Sequence, residues 1–213
     1  MANEEDEVVD IFDRDMNPLG VASRRVAHEY ALWHKSFDCF VVSSANGGQV
    51  LLQRRGSKKT LYPNLLDATS SGHYTSGEGS EAAVREIEEE LGVKVAFEDL
   101  VSLGIRLDLS RHHTSFADIF MLRRDTGLID YSPSVAEIDG IVAVGIKEGL
   151  ELLSGKVSEI RVRSTELDGK TGKWVEKDIA ITKMDFIYYV DNYFYKVFVA
   201  AERFIEGRKM LPI

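Results

Sequence analysis

SGHYTSGEGSEAAVREIEEELGV, residues 71–93, crowds glutamates around one arginine, opens among the glycines Gly72, Gly77 and Gly79 and closes at Gly92. On a helix over residues 80–92, at about 100° per residue, Glu86, Glu89 and Glu90 share one narrow arc. Ala83, Val84, Ile87 and Leu91 take a neighbouring arc suited to a core, while Arg85 and Glu88 fall to the other side. Ser80 is placed to cap the start and Gly92 to stop the end. Like charges on adjacent helical turns repel by a few tenths of a kcal/mol per pair, roughly, even when exposed. A hard cation such as Mg²⁺ reverses that sign, because clustered oxygen ligands are what it needs. A solvated acidic face would also carry such charges, yet it has no use for a glycine-rich approach whose tight path can offer a carbonyl oxygen to the same ion.

Outward from this stretch, the chain reads as alternating strands and helices. Strands are expected at residues 7–13, 38–44 and 49–55, with the turn ANGG (45–48) joining the last two as a hairpin. Residues 56–70 form an irregular connector, broken by Gly, Pro and Asn. Further strands are expected at 100–109, 115–124 and 140–146, followed by a helix over 147–155. Alternation on both sides of DGKTG (168–172) predicts an extended hairpin, and residues 185–207 read as one long helix ended by Gly207. On that helix Phe186, Tyr189, Tyr193 and Phe194 are expected to pack or to meet a second subunit; residues 156–182 and this helix are the expected places for selectivity or homodimer contacts.

Composition narrows the function. The 213 residues carry a net charge of −9 with no basic stripe, which disfavours a nucleic-acid polymer as partner. The start MANEEDEVVD lacks a secretory pattern and no stretch is long and apolar enough for a bilayer, so a soluble, cytoplasmic chain is expected. The single cysteine, Cys39, lies in FDCFVV and reads as a buried small hydrophobe.

The opening stretch resembles the Nudix box: Gly72 and Glu78 match its first half, and Arg85, Glu86, Ile87, Glu89, Glu90, Gly92 and Val93 its second. Six residues separate Glu78 from Arg85 where the pattern has seven. Residues from about 8 to 155 are similar to the Nudix branch that includes isopentenyl diphosphate isomerase, on DIFDRDMNPLG, RRVAHEYALWH, VLLQRR and YPNLLDATSSGH. The resemblance implies an α/β fold: an α/β/α sandwich on a mixed β-sheet, here with a C-terminal hairpin and long helix. It implies a Nudix domain over 1–155, with the box at 72–93, and an extension over 156–213 packed on the same domain.

As function, the resemblance implies a hydrolase of a small organic diphosphate, dependent on Mg²⁺ with Mn²⁺ as a substitute. Glu86, Glu89, Glu90 and the carbonyl of Gly72 would hold the metal, with Glu86 a further ligand or the base. Arg85 would position the glutamates, or form a plain surface pair with Glu81 or Glu89. Glu137, on a loop after the box, is a second candidate base. Arg54, Arg55, Lys58 and Lys59 would clamp phosphate, with His73 also facing substrate. Two alternatives stand beside it: an isomerase, and an inactive binding module. Isomerases use a cysteine before a Gly-His pair and acidic residues on a later strand, where this chain has Ser71, His113 and Ser115. His28, His34 and His73 resemble the histidines with which isomerases hold a second metal.

Overall fold

The structure is a computed structural model that describes residues 6–110 and 113–208. Its strands are β1 (Val8–Phe12), β2 (Pro18–Ser23), β3 (Trp33–Ser43), β4 (Gln49–Arg55), β5 (Leu66–Asp67), β6 (Ser70–His73), β7 (Leu100–Ser110), β8 (His113–Arg123), β9 (Ile138–Gly145), β10 (Ile160–Leu167) and β11 (Trp174–Ile181). The helices are α1 (Arg24–Glu29), α2 (Ala83–Leu91), α3 (Ile146–Leu153) and α4 (Tyr193–Ile205). All the strands join one sheet, which is mixed because β3 and β8 run parallel while its other pairings are antiparallel.

Alternation along β3 builds a core on each face of the sheet. Phe37, Cys39 and Val41 point to Ile87 and Leu91 of α2. Phe40 and Val42 point to Tyr193, Phe194, Val197 and Phe198 of α4, together with Ile146 and Leu152 of α3. The result is an α/β/α sandwich. The C-terminal hairpin β10–β11 continues the same sheet, because β10 pairs with β9. No helix among the described residues is long and apolar enough to cross a membrane.

The feature that makes room for a site is a split in the sheet. After a short turn at 45–48, β3 and β4 pair only through Val42 with Val50 and Ser43 with Gln49, then part. β5 follows β4 and β6 follows β3. Thr69 stands between them: its hydroxyl accepts from the amide of Val41 at 2.9 Å and donates to the carbonyl of Leu51. Thr69 is fully buried, so Thr69→Val keeps the shape and leaves both backbone groups unpaired. We expect a loss of about 2–4 kcal/mol in denaturant unfolding, since each buried unsatisfied group costs roughly 1–3 kcal/mol.

Two local expectations need correction. Ser80 caps nothing: residues Ser80–Ala82 form a 3₁₀ turn and α2 starts at Ala83 without a side-chain cap. The long helix over 185–207 is only Tyr193–Ile205. Before it, the amide of Ile187 donates to the carbonyl of Leu66 at 3.2 Å, and Phe186 bridges the same residue of β5. Phe186 and Ile187 are buried while Tyr188 and Val190 are 82% and 83% exposed. Asn192, at φ 55°, then turns the chain into α4.

Candidate active site

The split opens a cleft of about 380 Å³ whose wall on one side is α2. Gly92 ends that helix in the left-handed region at φ 68°. Gly72, on β6, lies so close that a Cβ there would come within 3.0 Å of Phe37 and 3.3 Å of the Glu86 side chain. The three helix glutamates differ in their surroundings. Glu89 is exposed and Glu86 partly so, at 62% and 22% of their side-chain surface. Glu90 belongs with the buried stripe of α2 rather than its flank, and its carboxylate accepts from the Ser71 amide at 3.0 Å. Burial pushes the Glu90 carboxyl up to about 8, and the nearby charges of Glu137 and Glu86 add to this. Burial raises Glu86 as well.

Arg85 stands over this cluster, 2.7 Å from Glu86 and 3.7 Å from Glu89, and donates to Glu78 at 3.0 Å. Its partner outside the helix is therefore Glu78 and not Glu81. Burial alone would raise Glu78, but the Thr75 amide and Arg85 outweigh it and hold the carboxylate below the usual range. A 3₁₀ turn rises more per residue than an α-turn, so the Ser80–Ala82 turn lets the junction span the gap with one residue fewer. A positioning partner of this kind is worth roughly 10- to 100-fold in metal affinity or activity. Arg85→Lys, which cannot fork between three carboxylates, is expected to lose activity on that scale while the unfolding midpoint changes little.

Arg55 and Lys59 also line the cleft. Arg55 pairs with Asp67 at 2.9 Å, and Lys59 pairs with Glu137. Glu137, Ser71, Gly72 and His73 line it as well. Arg54 does not: neighbouring residues of a strand face opposite ways, and Arg54 turns from Arg55 to pair with Glu166 of β10 at 3.5 Å. Lys58 is exposed and does not line the cleft.

His28, His34 and His73 gather at one side, with ligand nitrogens all within 4.8 Å. Nε2 of His28 lies 3.2 Å from Nε2 of His73, and Nδ1 of His34 donates to the Leu32 carbonyl at 2.8 Å. Burial lowers His28 and His34 to about 4, so both stand neutral near pH 7 with a lone pair for a metal. Among the described residues no carboxylate joins this group. Ser115 is held by Ser36 at 2.8 Å, and the His113 side chain lies outside the described residues. Cys39 is fully buried, and burial drives its thiol far above the ordinary value.

The sequence reading missed Asp38 and Asp108 and gave Tyr189 to packing or a second subunit; all three line the cleft. Asp38 carried a usable signal: an acidic residue inside an otherwise apolar run, WHKSFDCFVVS, needs a reason to be there. Asp108 and Tyr189 carried none, since their strand and loop become cleft wall only through tertiary contacts.

A model of the NUDIX domain matches residues 32–141, just over half of the chain. This chain is a Nudix family member. An uncharacterized Nudix hydrolase of Clostridium acetobutylicum is 29% identical over 202 residues, covering 92% of this chain and 97% of that protein. An isopentenyl-diphosphate delta-isomerase of Gibberella zeae is 32% identical over 115 residues, or 44% of this chain and 45% of that one. A crystal structure of a Deinococcus radiodurans protein superposes with a TM-score of 0.56 at 26% identity, over 70% of this chain and 90% of that one. Nudix proteins typically use a divalent metal, and the donor set of α2 fits one: Glu86 and Glu89 share the Arg85 cation, Glu90 lies buried beside them, and burial and neighbouring carboxylates raise Glu86 and Glu90.

Proposed function

We propose that this Nudix protein hydrolyses the diphosphate linkage of a small organic diphosphate, with Mg²⁺, or Mn²⁺ in its place, held by Glu86, Glu89, Glu90 and the Gly72 carbonyl. The observation that carries this reading is that the carboxylates Glu86, Glu89 and Glu90 of α2 and the cations Arg55 and Lys59 line one cleft. A metal held there would neutralise phosphate oxygens and lower the pKa of a water molecule. The chain supplies the rest by positioning and charge, as phosphoryl transfer requires. Arg55 and Lys59 bind the phosphate oxygens and fix the linkage across the cleft. Arg85 holds Glu86 and Glu89 in place through its 2.7 and 3.7 Å contacts. The proton of the attacking water passes to a carboxylate of the cleft, Glu86 or Glu137. His73 lines the same space as a further substrate contact.

The isomerase reading needs an acid and a base on opposite faces of an alkene. Ser71 occupies the position of the thiol, and the one thiol of the chain, Cys39, is sealed in the core. A binding module without activity has no need of three glutamates and two basic residues lining one cleft. The test is product analysis with Mg²⁺ on ADP-ribose, nucleotide sugars, nucleoside triphosphates and isopentenyl diphosphate. Phosphate or a nucleoside monophosphate is expected, with Glu89→Gln lowering the rate at least ~100-fold, since even a partner that only orients a metal ligand is worth roughly 10- to 100-fold. Isomer formation without phosphate release would overturn the reading.

A further inference from the structure

Beyond the carboxylates of α2, the cleft ends in a second, differently built wall. Asp38, Asp67 and Asp108 line it, with Tyr189 and Tyr62 beside them. Asp67 is paired with Arg55 at 2.9 Å and Asp108 with Arg106 at 3.4 Å. Among the described residues Asp38 has no salt-bridge partner, although the Arg106 charge acts on it: its Oδ2 accepts from the Tyr193 hydroxyl at 2.7 Å, and its Oδ1 has no hydrogen-bond partner there. Tyr193 is itself fixed, buried in the core and stacked against the Arg106 guanidinium at 4.2 Å, so the carboxyl is held in one orientation. Burial and the neighbouring Asp67 push the Asp38 carboxyl up to about 7.

With Asp67 and Asp108 each paired to an arginine, the acceptor left open on this wall is Asp38, a poor seat for a bare hydrocarbon, which would leave a desolvated carboxyl oxygen unanswered. It suits a group that donates. Resting on the hydrolase reading of the same cleft, we propose that Asp38 sets the substrate class: the organic half of the diphosphate carries an N–H donor that bonds the open oxygen of Asp38, with the phosphates at Arg55, Lys59 and α2. This orients the substrate, since its phosphates meet cations and α2 while its organic half meets the open oxygen of Asp38. It also separates this chain from enzymes whose diphosphate carries only an alkyl or alkenyl group. An amino-substituted heteroaromatic ring and an aliphatic amine share the required chemistry.

The test uses non-hydrolysable methylenediphosphonates, so that binding is read without turnover, by calorimetry on the full chain. One pair compares cytidine with uridine probes, which exchange an amino for a carbonyl group; the other compares 2-aminoethyl with propyl probes. The wild type is expected to bind the amino member of at least one pair tenfold or more tightly, and which pair does so identifies ring or amine. Asp38→Asn keeps the Tyr193 bond through its carbonyl oxygen and turns an NH₂ to the cleft, so the preference should disappear or invert. Equal binding within both pairs, binding of neither member, or a preference that survives Asp38→Asn overturns the inference. The wild-type comparison stands even where the variant fails to fold. Equal hydrolysis of amino and alkyl diphosphates would sink this inference and leave the hydrolase reading intact; selective binding with no hydrolysis of any probe's natural counterpart would do the reverse.

Discussion

Glu90→Gln is expected to abolish activity and at the same time to stabilise the metal-free protein at alkaline pH. The buried carboxyl is held at about 8, against about 4.3 for an unperturbed glutamate. Its folded pKa is raised, so the fold favours the protonated form. That contribution is fully present below about pH 4 and is lost as pH rises through about 8, at up to ~1.4 kcal/mol per unit. Glutamine keeps an acceptor for the Ser71 amide and carries no charge to bury. In chelator, the unfolding midpoint of the wild type should therefore fall between about pH 5 and about pH 9, and that of E90Q should fall less. Asp38, pushed up to about 7, contributes with the same sign, so the slope shrinks without vanishing. With Mg²⁺ the order reverses, because a ligand that binds only the native state stabilises it and E90Q has lost one oxygen donor of the site. Denaturant melts across pH, with and without Mg²⁺, check both halves. An unchanged response to Mg²⁺ would remove Glu90 from the metal site, and equal pH slopes would mean that its carboxyl is not held above the ordinary range.

The second large effect concerns the wall that carries the cleft's far end. Phe198 of α4 is fully buried, and Gly149 of α3 lies so close that a Cβ there would overlap the ring edge of Phe198. Phe198→Ala should cost about 3–5 kcal/mol through lost burial and the cavity left behind. Gly149→Ala should cost about 1–3 kcal/mol through overpacking. Because each change alters the same contact, the pair should not add: with the ring gone, the alanine at 149 fills part of the space and the double variant should be more stable than the sum allows. Urea unfolding of the four proteins measures this, and strict additivity would mean that α3 and α4 do not meet through these two residues. Since α4 follows the segment that carries Ile187 and Tyr189 into the cleft, the Phe198→Ala variant should also bind substrate less tightly.

Much of this was written locally in the chain. The strands β10 and β11 follow from alternation, and the box from the spacing of its glutamates and its arginine. What was not legible has physical causes. β5 and β6 span two and four residues, and their pairing comes from β4 and β3 rather than from any pattern of their own. The density of aromatic residues over 185–207 imitates a helix, but Leu66 captures the backbone at Ile187 and holds the first part extended. Arg54 and Arg55 are equal as letters; only the alternation of β4, with Val50 and Leu52 on one face and Leu51 on the other, assigns one to β10 and the other to the cleft. Asp38 was visible as an anomaly, and its meaning required Tyr193, 155 residues away in the chain.

The central claim is that water attacks phosphorus in this cleft. The direct measurement is turnover, with Mg²⁺, of whichever diphosphate in the panel reacts, carried out in heavy-oxygen water and followed by phosphorus NMR and mass spectrometry. Hydrolysis predicts one heavy oxygen in a phosphate or monophosphate product, formed by the wild type and lost with Glu89→Gln. An intact, unlabelled diphosphate bearing a rearranged organic group, or a labelled product that Glu89→Gln still forms at the wild-type rate, would contradict it.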